Sequence, residues 1–170
     1  MYMSYYTTMV VNTRPDIAPR LDLGYVALFL GLRVNQLIMD RMHARGFKGL
    51  RESHGYVIQH LIEKERSVTE LARRMEVTQQ AASKVVAELA RLGILEIGKA
   101  ADGRAKSVRL SPLGWNAVLE GRKIRRRIEK RLIHIVGAQN YDKAHAIVSA
   151  CLGALGGAER VRSRRILPPQ

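Results

Sequence analysis

Between Asp22 and about Arg45 apolar side chains recur at helical spacing, Tyr25, Leu28, Leu32 and Met39 with Val34, Leu37 and Ile38 between them, until Gly46 closes the run. The pattern predicts a first helix whose apolar arc is too broad for a helix standing alone. Residues 52–64 continue with Val57, Ile58, Leu61 and Ile62 on one side and Glu63, Lys64 and Glu65 at the exit, a second and shorter helix. Ser67-Val68-Thr69-Glu70 then has the form of a capping box, in which the Ser67 hydroxyl accepts from the Glu70 amide and the Glu70 carboxylate reaches back to the Ser67 amide. A third helix should start at about residue 68 and last two turns, because Leu71, Ala72 and Met75 are soon followed by Thr78, another good N-cap. The fourth runs from Gln79 to about Leu92, with Ala82, Val85, Val86, Leu89 and Leu92 on its apolar side and Gly93 placed to end it in the left-handed conformation.

The opposite side of this fourth helix carries Gln79, Gln80, Ser83, Lys84, Ala87 and Arg91. Two short helices joined by a tight turn, the second with an apolar back and a front of amide, hydroxyl and basic groups, form a helix-turn-helix. Donors and acceptors near the start of such a helix can reach base edges in the major groove while the back anchors it. An ordinary amphipathic surface helix is the competing reading, but it would more often show Glu and Lys four residues apart.

After Gly93 the period falls to two: Leu95 and Ile97 flank Glu96, then Val108 and Leu110 alternate with Ser107 and Arg109. A β-hairpin follows, its loop spanning Gly98 to Lys106 with an Asp102-Gly103 turn signal and the basic residues Lys99, Arg104 and Lys106. Beside a helix-turn-helix, a basic hairpin is a wing. Arg104 suits a narrow minor groove, and Asp102 with Gly103 shapes the turn. Ser111-Pro112 starts a long helix with Trp115, Val118, Leu119, Ile124, Ile128, Leu132 and Ile135 as its apolar stripe. Gly137 to Asn140 should break it, and a last helix should run from about Tyr141 to Leu155 before Gly156-Gly157.

Charge sharpens the picture. The 170 residues hold 29 Lys plus Arg against 15 Asp plus Glu, a net +14 that favours a polyanionic partner. The excess is C-terminal, with 12 basic and 4 acidic residues from position 111 onward, and its densest run is Arg122 to Arg131. Such a run is equally a solvated helix face. The most apolar stretch, Leu23 to Leu32, is far too short to span a bilayer, and residues 1–20 lack the pattern of a signal peptide, so a cytoplasmic protein is expected. No cofactor and no metal are expected either: Cys151 is the single cysteine, read as a small buried hydrophobe, and His43, His54, His60, His134 and His145 are dispersed. Enzyme signatures such as G-x-S-x-G, a phosphate loop or H-E-x-x-H are missing from the sequence.

In combination these motifs resemble the MarR family of winged-helix transcriptional regulators. Asp102-Gly-Arg104-Ala-Lys106-Ser-Val-Arg-Leu110-Ser111-Pro-Leu-Gly114 is similar to that family's D-x-R-x-x-x-x-x-L-[ST]-x-x-G signature. Val68-Thr69-Glu70-Leu71-Ala72, Ala81-Ala82-Ser83-Lys84-Val85-Val86 and Leu92-Gly93-Ile94-Leu95 resemble its helix-turn-helix, and the likeness extends over about residues 21–156. It implies a mainly α fold, a winged helix-turn-helix with a two-stranded β-wing whose N- and C-terminal helices form a dimerisation region. The expected layout is a flexible arm at 1–20, a dimerisation helix at 21–50, the DNA-binding domain at 51–112, dimerisation helices at 113–156 and a basic tail at 157–170. By the same resemblance Thr78, Gln79, Gln80, Ser83 and Lys84 read the major groove of a pseudo-palindromic duplex, while Arg104 and Lys106 work from the wing. A homodimer, repression and release by a small-molecule effector are what the family implies. His54 would then be a polar group of the effector pocket, a core or solvent-exposed histidine being the other reading. The alternative function is a winged helix that binds nucleic acid without sequence preference, or binds protein, since +14 alone gives salt-dependent affinity for any duplex.

Overall fold

The computed structural model describes residues 21–99 and 106–157 together with Glu159 and Val161. Its elements follow the order α1 (Leu23–Ala44), α2 (His54–Leu61), α3 (Val68–Met75), α4 (Gln79–Arg91), β1 (Leu95–Lys99), β2 (Lys106–Leu110), α5 (Pro112–Val136) and α6 (Ala138–Ala154). The chain divides into two units at Arg33/Val34, within α1. In the first, the start of α1 exposes Leu23, Tyr25, Leu28, Phe29 and Leu32, and Tyr25 stacks on Phe29 with ring centroids 6.5 Å apart.

One core organises the second unit. Ile38 and Met42 from α1, Val57 and Leu61 from α2, Leu71 from α3, and Val86 and Leu89 from α4 meet Ile94, Leu95, Val108 and Leu110 of the hairpin region. From α5 the same core takes Ala117, Val118, Ile124 and Ile128. The first half of α5 is therefore built into the body that carries the helix-turn-helix.

Local hydrogen bonds explain the helix boundaries. Ser67 and Thr78 accept from the amides of Glu70 and Ala81, each at 3.1 Å, and so cap α3 and α4. The end of α4 is a Schellman motif: Gly93 at φ +72° donates to the Ala90 carbonyl at 2.9 Å, and Ile94 donates to Leu89 at 3.0 Å. The end of α3 uses the same geometry, with Val77 donating to Ala72 at 3.1 Å, but the left-handed residue is Glu76 at φ 56°. A side chain there costs about 1–2 kcal/mol relative to glycine, and it closes the turn that brings Thr78 into position to start α4.

Several expectations change. α2 spans only His54–Leu61, because Ser53 is already helical without capping by its side chain and the chain after Ile62 turns away to join the hairpin. There Arg66 exchanges two backbone hydrogen bonds with Val108, at 3.0 and 2.8 Å, adding a one-residue bridge beside the two-stranded β1–β2 ladder. The Arg66 side chain is buried: its Nε donates to the His60 carbonyl at 2.6 Å and its terminal nitrogens pair with Glu63 and Glu70. The Glu70 carboxylate, expected to reach back to its own cap, instead holds Arg66 and Arg74. The strands absorb Gly98, Lys99 and Lys106 from the expected loop, in the register Leu95↔Leu110 through Lys99↔Lys106. Ser107, a polar position in the alternation, is buried because its hydroxyl donates to Glu65 at 3.1 Å.

The apolar stripe expected on α5 is only partly covered by the described residues: Val118, Ile124 and Ile128 are buried, but Trp115, Leu119 and Ile135 are exposed. Helix α6 begins at Ala138 rather than Tyr141, since Gly137 at φ +81° suffices as the break. None of its residues is buried, so Cys151 is exposed, contrary to expectation, because no described residue covers that side of α6. No described helix is long and apolar enough to cross a membrane.

A single joint fixes the end of α4 against the start of α5. Ser111 caps α5 by accepting from the Gly114 amide at 2.9 Å; its hydroxyl donates to the Gly93 carbonyl at 2.5 Å, and its own amide donates to the Ile94 carbonyl at 3.0 Å. Gly114 rests directly on that Ile94 carbonyl, where a Cβ would overlap the oxygen. Replacing Gly114 with Ala should therefore cost about 1–3 kcal/mol in urea unfolding, because a backbone oxygen cannot swing aside as a side-chain tip does. Unchanged stability would contradict this packing.

Candidate nucleic-acid interface

The exposed front of α4 is assembled by its cap and its back. Thr78 fixes the first turn, while Ala82, Val86 and Leu89 are sealed in the core. With that face fixed inward, Gln79, Gln80, Ser83, Lys84, Ala87 and Arg91 are all exposed. The first turn carries no acidic residue, so the partial positive charge of the helix N-terminus is left uncancelled beside two amides, a hydroxyl and an ammonium group. This arrangement offers both donors and acceptors and repels no phosphate.

Lys106 is exposed at the outer end of the wing ladder, opposite Lys99, four residues from the buried Leu110. Nearer the core the ladder is braced by Arg109, which donates to Glu96 at 2.9 Å. Asp102, Gly103 and Arg104 lie outside the described residues. The structure thus gathers Thr78, Gln79, Gln80, Ser83 and Lys84 on one helix and sets Lys106 on the wing, while His54 lies elsewhere.

His54 is fully buried at the start of α2. The Arg51 amide donates to its Nδ1 at 3.2 Å, so the neutral ring carries its proton on Nε2, which faces the Glu88 carboxylate at 3.5 Å. The Arg51 guanidinium pairs with the same Glu88 oxygen. Burial pushes the His54 pKa below its ordinary 6.5; Glu88 opposes the shift and the Arg51 charge reinforces it. Neither Arg51 nor Glu88 was singled out in the sequence. The available signal was that Glu88 is the one acidic residue of α4 and lies next to Leu89, so that it must find a cation close to the core.

Arg51 and His54 also line a cleft of about 540 Å³ between the second half of α1, α2 and α5. Met39, Met42, Ile58 and Val118 give it apolar walls, and Arg122 and Arg125 of α5 stand at its edge. His54 is thus a core histidine that also borders this cleft. Among the described residues no three His, Cys, Asp or Glu side chains gather as metal ligands would.

The depressed His54 pKa has a signed consequence. Above about pH 6.5 the ring is neutral in folded and unfolded chains alike and contributes no pH dependence; as pH falls below that value the unfolded chain takes up a proton that the fold resists. Stability should decline from about pH 6.5 down to the depressed folded pKa, and denaturant midpoints of a His54→Asn variant should lack that component of the decline. Parallel profiles for the two proteins would contradict the assignment.

Comparison with known proteins agrees with this geometry. The MarR family model matches residues 48–105, the span from the loop before α2 to the wing. No curated protein matches the chain by sequence. Among solved structures, YusO from Bacillus subtilis is 21% identical and superposes with a TM-score of 0.63 over 78% of this chain and 92% of its own. MepR, a transcription regulator of the Staphylococcus aureus multidrug efflux pump MepA, is 15% identical with a TM-score of 0.65, over 79% of this chain and 99% of its own. A MepR mutant bound to an oligodeoxyribonucleotide, also 15% identical, gives 0.59 over 80% and 99%. The MarR family model thus covers the helix-turn-helix and the wing, and these solved structures share the winged-helix fold around them.

Proposed function

We propose that the chain is a sequence-specific binder of double-stranded DNA that acts as a homodimer and represses transcription until a small molecule releases it. The observation that carries the reading is the front of α4: five exposed positions from Thr78 to Lys84 with base-reading chemistry, on a helix whose back is locked into the core. Gln79 and Gln80 supply amides able to pair with adenine, Ser83 and Lys84 supply further base and phosphate contacts, and Thr78 orients the turn. Lys106, with Arg104, extends the contact to the neighbouring groove, while Asp102 and Gly103 shape the wing. The oligonucleotide complex of the MepR mutant supports duplex DNA as the partner.

Exposed apolar side chains support the dimer: Leu23, Leu28, Phe29 and Leu32 on the first unit, and Ile147, Val148 and Leu152 on α6, leave more apolar surface than a soluble monomer usually displays. The cleft bordered by Arg51 and His54 is the place for an effector. The reading keeps the protein in the cytoplasm with the DNA and requires no catalysis, metal or cofactor. A net charge of +14 favours one other reading, binding to any duplex through phosphates alone.

Enrichment of a duplex from a random library, followed by titration of two variants, separates the two. Gln80→Ala should reduce discrimination at one base position by about 1–3 kcal/mol while preserving the salt slope. Arg104→Ala should weaken binding to every duplex and lower the salt slope by about one. If both variants lost affinity equally for the enriched and scrambled duplexes, phosphate attraction alone would explain the binding.

A further inference from the structure

The basic run of α5 is set out in rows. Arg122, Arg126 and Lys130 follow one another four residues apart, and so do Lys123, Arg127 and Arg131. All six are exposed, on the part of the helix surface that the buried Ile124 and Ile128 leave to solvent, and each row is about 12 Å long. A solvated helix face ordinarily sets opposite charges four residues apart, whereas every such pair within these rows is like-charged and weakens the helix. The neighbouring acids do not relieve the first row: Glu120 pairs with Arg45 and Lys123, and Glu129 accepts from the Tyr141 hydroxyl at 3.1 Å. Among the described residues Arg122, Arg126 and Lys130 form no ion pair.

We infer that this face of α5 is a second nucleic-acid surface, separate from α4 and the wing, which holds the phosphate backbone of duplex DNA beyond the base pairs that α4 contacts. The inference goes beyond the function proposed above, because it assigns a contact that reads no base and lies on another element. The rows stand between about 15 and 29 Å along α5 from the joint at Ser111, so they form a surface of their own rather than an extension of the α4 front. Duplex DNA carries one negative charge per roughly 1.7 Å of axis, so a row about 12 Å long meets several phosphates at once. Four of the six cations are arginines, whose planar guanidinium groups match phosphate oxygens in pairs. A second copy of the chain is not the occupant. A two-fold contact of this face with itself would set cations against cations, and like charges facing one another oppose association.

Fluorescence anisotropy of the full-length protein on the library-enriched site, embedded in a longer duplex, tests the surface through the salt dependence of binding. The double variant Arg126→Gln/Lys130→Gln should lower the slope of log affinity against log salt by about two for each protomer engaged, one for each phosphate released. A charge-matched control, Lys48→Gln/Lys143→Gln, removes two exposed cations from other elements and should lower it by less than about a half, because salt screens charges that touch no phosphate. Arg126→Lys, which keeps the charge, should keep the slope. The preference for the enriched over a scrambled duplex should be the same in all of these proteins, and Arg126→Gln/Lys130→Gln should unfold cooperatively at an equal or higher temperature, since it relieves repulsion. Equal slopes for this variant and the control would overturn the inference and leave the rows a solvated face. Binding of polyglutamate that needs Arg126 and Lys130, with the slope on DNA unchanged, would also overturn it and assign the face to an acidic protein. A protein that shows no preference between duplexes, yet loses slope in the α5 variant alone, would refute the reading of α4 and leave this surface standing.

Discussion

The carbonyls of Gly93 and Ile94 are where the fold is joined. Helix α4 has just ended there and β1 is about to begin, while β2 returns to Leu110 and α5 starts at Pro112. Ser111 serves all of these at once. Its hydroxyl accepts from Gly114 and donates to Gly93, and its amide donates to Ile94, so one residue caps α5 and fastens it to the end of α4. Only glycine at position 114 lets the two backbones come this close. The L-[ST]-x-x-G portion of the wing signature is thus a packing device: it fixes the end of α4 against the start of α5, and the β1–β2 hairpin lies between them. Arg66 makes a second joint on the far strand, pairing its backbone with Val108 and its buried guanidinium with His60, Glu63 and Glu70, which ties α2 and α3 to the same wing.

Charge is distributed according to the same logic. The front of α4 exposes cationic and neutral polar groups, with no acid in its first turn. Its one carboxylate, Glu88, is turned inward to Arg51 and His54. The buried cation Arg66 is compensated by two carboxylates and a carbonyl, and no buried side-chain nitrogen or oxygen among the described residues lacks a partner. A chain carrying +14 can keep so much positive charge because most of it lies on exposed surfaces, such as the Arg126 to Arg131 stretch of α5.

What could be read in the sequence was what short-range chemistry controls. The caps Ser67, Thr78 and Ser111 and the terminator Gly93 each act within a few residues, and all four stand where the pattern put them. The sidedness of α4 was equally legible, since its period separates Ala82, Val86 and Leu89 from Gln80, Ser83 and Lys84. Long-range partners were not. The capping-box reading gave Glu70 a local role, but Arg66 draws its carboxylate away; Ser107 fitted an outward polar position until Glu65 reached it across 42 residues. The left-handed Glu76 gave no glycine signal at the turn between α3 and α4. Periodicity also shows which side of a helix is apolar but not what covers it, and so Trp115, Leu119 and Ile135 of the apolar stripe, and Cys151, which was read as buried, are all exposed among the described residues. Glu88 escaped notice for the same reason, because its partner Arg51 is 37 positions away.

The central claim is that the front of α4 reads sequence rather than charge. It is tested most directly by fluorescence anisotropy of the purified protein on DNA from upstream of its own reading frame, with a scrambled duplex as competitor, across several salt concentrations. The account predicts that the complex survives the competitor, with a preference of about 10³-fold or more that persists as salt rises. Equal affinity for both duplexes, falling together with salt, and no enrichment of any other genomic fragment under the same competition would contradict it.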